Sequence, residues 1–234
     1  MPGVSRPRDV VVFDVDDTLY LERDYVASGF TALEPVVTEV FGVSGFGALA
    51  WSRFVHGERG RIFDRTLTEL GVAYTACDIN ELVRRYRAHR PLISLLPDAG
   101  VVLDELCALG VGLAVLSDGP RESQAAKVEA LGLASYTDVI ILTDALGPGY
   151  GKPDRRGFQR IAELTGARVF AYVADNPLKD FAGPRQLGWT TVRVRRPGGL
   201  HAGRPGGADI DKTVDDLTGI VSVLGARRRW SLER

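Results

Sequence analysis

Histidine, cysteine and methionine are scarce in this chain of 234 residues, at three, two and one copies. His56, His89 and His201 have no partners at metal-ligand spacing, so they are read as surface or packing residues. Cys77 and Cys107 are far apart, with no Cys-x-x-Cys spacing and no adjacent histidine. Two unpaired, packed thiols in a reducing compartment are expected. Charge is also nearly absent in sum, at −1, which gives no electrostatic case for nucleic acid or an anionic membrane as partner. The basic stretch Ala226 to Trp230 is short and reads as a solvated terminus. No run approaches the roughly 18 apolar residues of a membrane span, and the first residues lack an apolar signal core. A cytoplasmic protein is expected. "RVFAYVADNP" holds no glycine-rich dinucleotide fingerprint, which argues against NAD.

What the chain does have is short apolar runs rich in valine and isoleucine. They are "VVVF" (10–13), "VGLAVLS" (111–117), "DVIILT" (138–143), "RVFAYVA" (168–174) and "TTVRV" (190–194). Most do not alternate polar with apolar, as expected of parallel strands buried on both faces. Helical patterns separate them, at 97–110, 120–133 and 153–166, with Gly132 and Gly166 as stops. Alternation of this kind predicts an α/β protein built on a doubly wound parallel sheet. Residues 20–96 break the rhythm with helix-like stretches only, far beyond an ordinary loop of about 4–6 residues. This predicts a helical cap at 20–96 inserted into a core of 1–19 and 97–234, placed as a lid. Residues 195–209 are rich in glycine and proline and read as a flexible loop before a final helix near 211–225.

Ligands of such a sheet bind outside the carboxyl ends of its strands. After the first run come Asp14, Asp16, Asp17 and Thr18. After the second come Ser117, Asp118 and Gly119. "GYGKPD" supplies Lys152, and the fourth run leads into Asp175 and "DNPLKD", ending at Asp180. Carboxylates this close repel one another, so a cation is needed to offset them. Oxygen ligands in a mostly carboxylate site suit Mg²⁺. An aspartate beside Mg²⁺ and an ammonium stays ionised and serves as a nucleophile. A second carboxyl two residues on fits a general acid and base, and Ser117, backbone N–H groups and Lys152 fit a phosphoryl group.

"FDVDDTLY", "VLSDG", "GKPD" and "VADNPLKD", in that order, resemble the four motifs of the haloacid dehalogenase superfamily, in the branch with a helical cap after the first motif. The resemblance covers nearly the whole chain and implies a Rossmann-like core. It implies Asp14 as aspartyl nucleophile and Asp16 as general acid and base, with the Asp16 backbone carbonyl also facing Mg²⁺. Ser117, Asp118, Gly119 and Lys152 would bind the phosphoryl group. Asp175 would complete the metal shell, and Asp180 would support it. The superfamily's dehalogenases lack an acid at the position of Asp16, so this chain resembles the phosphatases. Two departures stand out: Asp118 replaces the usual asparagine, adding a negative charge near phosphate, and Ala174 stands where glycine is common.

The expected activity is therefore Mg²⁺-dependent hydrolysis of a small phosphomonoester metabolite, such as a sugar phosphate or nucleotide, by a monomer or homodimer. A phosphosugar mutase would share the aspartyl phosphate but release no inorganic phosphate. A non-catalytic phosphate- or partner-binding module would lack one of the four chemical groups, and none is missing. A dehalogenase would release halide without metal. Against these readings stands a plain structural one: Asp17 as a helix cap, Pro153 as the first turn of a helix, Asp180 as an ordinary helix-start aspartate. Trp51, Phe54 and Tyr20 would pack in a core or line a substrate pocket, and the arginines of residues 53–90 would form a solvated face.

Overall fold

The computed structural model describes residues 9–223. Two compact units result, one of them Arg23–Ile93 and the other the rest of the described chain. The larger unit is built on six strands: β1 (Asp9–Phe13), β2 (Gly112–Ser117), β3 (Ile140–Leu142), β4 (Val169–Ala174), β5 (Thr190–Val194) and β6 (Lys212–Val214). All pair in parallel in the order β3-β2-β1-β4-β5-β6. This is an α/β doubly wound sheet, whose strand order reverses between β1 and β4.

β1 sits at the centre because its residues 10–13 are apolar on both sides and are buried on both. One face packs Val10, Val12, Leu116, Phe170 and Tyr172 against Phe158 and Ile161. The latter two lie on the helix Arg156–Thr165. Phe158 meets Tyr172 and Trp189 edge-on, at 4.9 and 5.5 Å between ring centres. On register, Phe13 stands beside Val115 of β2 and Val173 of β4. The chain therefore leaves β1 and β4 within one residue of the same level, and β2 two residues farther along the same sheet edge.

The smaller unit holds the helices α1 (Glu22–Phe41, whose first residue lies in the larger unit), α2 (Phe46–Val55), α3 (Ile62–Glu69) and α4 (Ala76–Ala88). Phe30, Phe46, Phe54, Phe63 and Tyr86 pack as an aromatic cluster, with ring centres 5.6–6.4 Å apart. A capping box opens α4: Thr75 Oγ1 accepts from the Asp78 N–H, and an Asp78 oxygen accepts from the Thr75 N–H. The Glu34 carboxylate takes the N–H groups of Gly45 and Gly47 at the start of α2.

Several expectations need correction. Residues 212–214 are an edge strand, and the expected final helix begins only at Leu217, with a 3-10 turn over Leu217–Gly219 that runs into helical residues 220–223. Three residues are too few to show a period, and "KTV" suits either reading. Residues 224–225 of the expected helix, like the basic stretch 226–230, lie outside the described residues. The helix expected over 153–166 begins only at Arg156, so Pro153 is not in its first turn. The loop after β5 is anchored rather than loose: the buried Arg193 guanidinium donates to the carbonyls of Asp175, His201 and Arg204. Cys77 and Cys107 are free as expected but exposed, not packed. The arginines of residues 53–90, expected as a solvated face, are partly paired, as with Arg53 on Glu58 and Arg84 and Arg85 on Glu81.

Candidate active site

Asp14 follows β1 directly and is fixed there by its N–H, which donates to the Val173 carbonyl of β4 at 2.9 Å. Asp175 follows β4, and Asp180 follows five residues later. Oxygens of Asp14, Asp175 and Asp180 lie within 4.8 Å of one another, and all three residues are buried. The Lys152 ammonium is also buried and sits 2.7 Å from Asp14 Oδ1 and 2.8 Å from Asp180 Oδ1. It donates a further bond to the Tyr172 hydroxyl at 3.0 Å. One ammonium thus faces three carboxylates, and the charge does not close.

The acid–base properties of the group reflect that deficit. Burial, then the charges of Asp14 and Asp180, push the Asp175 carboxyl up to about 9. Burial likewise raises Asp14 to about 6, against the pull of Lys152. For Lys152 the two neighbouring carboxylates outweigh burial and raise its pKa well above the ordinary lysine value. Asp175 Oδ2 is buried with no hydrogen-bond partner. An orphaned carboxylate oxygen, set among hard oxygen donors in net negative surroundings, fits a divalent cation such as Mg²⁺.

Asp16 is separate from this trio. The Lys127 ammonium lies 2.6 Å from its Oδ1, the Gln124 amide donates to Oδ2 at 3.3 Å, and the Tyr20 hydroxyl also donates to Oδ1. Burial alone would raise the Asp16 carboxyl, but Lys127 and the hydrogen bonds from Lys127 and Tyr20 prevail and hold it below the ordinary value. Ser117 ends β2, and its hydroxyl donates to Gln124 Oε1 at 2.7 Å. Gly119 has φ of +134°, and a Cβ there would come within 2.7 Å of Gln124 Nε2, so the turn after β2 requires glycine.

The Asp118 carboxylate is already occupied. It accepts from the Lys152 N–H at 3.1 and 3.2 Å, from the Thr143 hydroxyl at 2.8 Å and from Lys179 at 3.3 Å. It braces the loop that carries Lys152. Asp17 is a tether and not a helix N-cap in the strict sense: it takes the N–H of Glu22, already the first residue of α1, and the N–H of Leu200. Asp180 is more than an ordinary helix-start residue, since one oxygen holds Lys152 and the other takes the Asn176 N–H. Ala174 is buried in the sheet core without disturbing β4.

Four contributors went unseen in the sequence: Gln124, Lys127, Tyr172 and Lys179. Tyr20 was seen only as an apolar body, whereas its hydroxyl serves Asp16. The one available signal was polar side chains at helix positions 124 and 127, three apart on a single face. Lys179 lies one residue before Asp180, and only its charge distinguished it.

With this geometry in hand, likeness to known proteins carries weight. The family model for haloacid dehalogenase-like hydrolases matches residues 8–188. Phosphoserine phosphatase of Thermus thermophilus is 33% identical over 193 residues, 82% of this chain and 74% of that protein. Glyceraldehyde 3-phosphate phosphatase of Methanocaldococcus jannaschii is 25% identical over 224 residues, 92% of this chain and 96% of that one. In three dimensions the chain resembles the 2-haloacid dehalogenase of Pseudomonas syringae. That likeness has a TM-score of 0.64 at 24% identity, covers 95% of this chain and 99% of that one, and speaks to the fold.

Proposed function

The chain belongs to the haloacid dehalogenase-like hydrolases and is a phosphatase, and from that premise we propose that it hydrolyses a small phosphomonoester metabolite with Mg²⁺ through an aspartyl phosphate. The observation that carries the reading is the buried Asp14–Lys152 pair beside the orphaned Asp175 oxygen. Asp14, Asp175 and the Asp16 backbone carbonyl would hold the cation, with Asp180 in support. When bound, Mg²⁺ would neutralise these carboxylates and the oxygens of the substrate phosphate.

In the first step the Asp14 carboxylate attacks phosphorus, the ester P–O bond breaks, and Asp16 gives a proton to the departing alcohol. In the second step water attacks phosphorus, the Asp14–phosphorus bond breaks, and the proton of the water passes to Asp16. The proton taken in one turnover is the one spent in the next. Ser117, the N–H groups of Asp118 and Gly119, and the Lys152 ammonium hold the phosphoryl oxygens while negative charge builds on them. An Asp16 held ionised by Lys127 suits the base of the second step.

Relatives that act on phosphoserine and on glyceraldehyde 3-phosphate favour a small substrate, with sugar phosphates, nucleotides and phosphorylated acids as the classes to screen. Asp16 favours phosphate over halide chemistry, since a halide leaves without a proton. No helix among the described residues is long and apolar enough to cross a membrane. Two free cysteines suit a reducing cytoplasm, for a monomer or homodimer. The test is phosphate release from a metabolite panel by wild type and Asp14→Asn. The variant is expected to be folded and inactive, and EDTA is expected to stop the wild type. Full activity of D14N, or turnover in excess EDTA, would overturn the reading.

A further inference from the structure

The helix after β2, Arg121–Ala130, presents three polar side chains, Ser123, Gln124 and Lys127, to the interior where a packing helix ordinarily presents apolar ones. Gln124 and Lys127 are each only 3% exposed. Burying an ammonium is costly unless it is paired, and here its partner is Asp16 at 2.6 Å. The Gln124 amide spans two motifs. Its Nε2 faces a carboxylate that only accepts, which fixes the amide orientation and leaves Oε1 to take the Ser117 hydroxyl. Both oxygens of Asp16 are thus held from one helix face, and the same face reaches Ser117.

We infer that Gln124 and Lys127 are positioning residues that hold Asp16 as the base of the dephosphorylation step, with Gln124 setting Ser117 alongside. The inference rests on the reading of Asp14 as nucleophile and Asp16 as acid and base. Neither residue touches the phosphoryl group; each acts through a neighbour. The consequence is selective. Loss of Lys127 takes the ammonium from Asp16 Oδ1 and leaves the carboxylate to the weaker hold of Tyr20 and Gln124, which harms the step in which Asp16 must take a proton from water. Formation of the aspartyl phosphate is spared when the leaving group needs no proton.

p-Nitrophenyl phosphate has such a leaving group, so rapid mixing with the Mg²⁺-loaded enzyme separates the two steps. Lys127→Met is expected to keep a burst of p-nitrophenol close to one equivalent, with the phosphoryl adduct visible by intact-protein mass spectrometry. Its steady-state turnover should fall about 100-fold, the lower end of a general acid–base contribution. Lys127→Arg, which restores a buried cation, should recover much of that loss. If K127M does not fold, Gln124→Met carries the same measurement, with a raised KM expected besides. Burst and turnover falling together, or turnover within about threefold of wild type, would overturn the inference. A wild type that forms no phosphoenzyme, or a D14N variant that turns over, fails the mechanism itself and takes the inference with it.

Discussion

Replacing Asp175 with asparagine should make the metal-free protein more stable while abolishing its response to magnesium. The reason is electrostatic. With no cation, the Asp175 carboxyl has a pKa of about 9 in the folded chain against an ordinary 3.8. A raised folded-state pKa means that the stability tied to this group is fully present below about pH 4 and is lost as pH rises toward 9. At pH 7 the gap of 7 − 3.8, at about 1.36 kcal/mol per unit, amounts to roughly 4 kcal/mol of destabilisation. Asparagine is close in shape and carries no charge to desolvate. Allowing for local relaxation, about 2–4 kcal/mol should be recovered, or between about 4 and 15 °C in Tm for a chain of this size. Thermal melts in EDTA from pH 5 to pH 8.5 measure this directly. Wild type should lose Tm relative to D175N as pH rises, and Mg²⁺ should restore wild type alone. A D175N variant that melts no higher than wild type in EDTA at pH 8 would refute the reasoning.

Two further outcomes follow from particular contacts. Asp118→Asn should cost about 1–2 kcal/mol in urea melts, because an amide replaces only part of a carboxylate that accepts from Lys152, Thr143 and Lys179. It should leave KM unimproved; a KM lower by about tenfold, the roughly 1.4 kcal/mol of one relieved repulsion, would mean that Asp118 opposes the substrate phosphate after all. Phe158→Ala removes a fully buried ring packed on Tyr172 and Trp189, and should lower unfolding free energy by about 3–5 kcal/mol. Measured by denaturant midpoint, a loss under about 1 kcal/mol would show that the site collapses around the missing ring.

The fold was legible wherever burial on both faces forced a run of apolar residues. "VVVF", "VGLAVLS" and "RVFAYVA" read as strands because a central parallel strand has no solvent side on which to place polar groups. That constraint lapses at the sheet edge, and β6 was missed there: "KTV" is half-exposed, three residues long and paired to β5 alone. Composition also misled at 195–209. Glycine and proline predict a loop correctly, but whether a loop is tied down depends on a distant partner, here the Arg193 guanidinium arriving from β5.

The same division runs through the candidate site. Asp14, Ser117 and Asp175 were readable because each ends or directly follows an apolar strand, so its place on the sheet edge follows from the strand. Lys127 and Gln124 were not, since a helix brings them in from the side and a mixed polar sequence such as "RESQAAKVEA" is equally good for a solvated helix. What decides between the two is the fate of the ammonium: at the surface it is hydrated, whereas in the interior it needs a carboxylate. Asp16 sits two residues beyond Asp14, which is occupied by Lys152, and is the carboxylate that Lys127 meets. Asp14 and Asp16 thus meet different lysines, one from a loop and one from a helix. The two charges are fixed separately, as a site needs when one carboxylate must attack and the other must carry a proton.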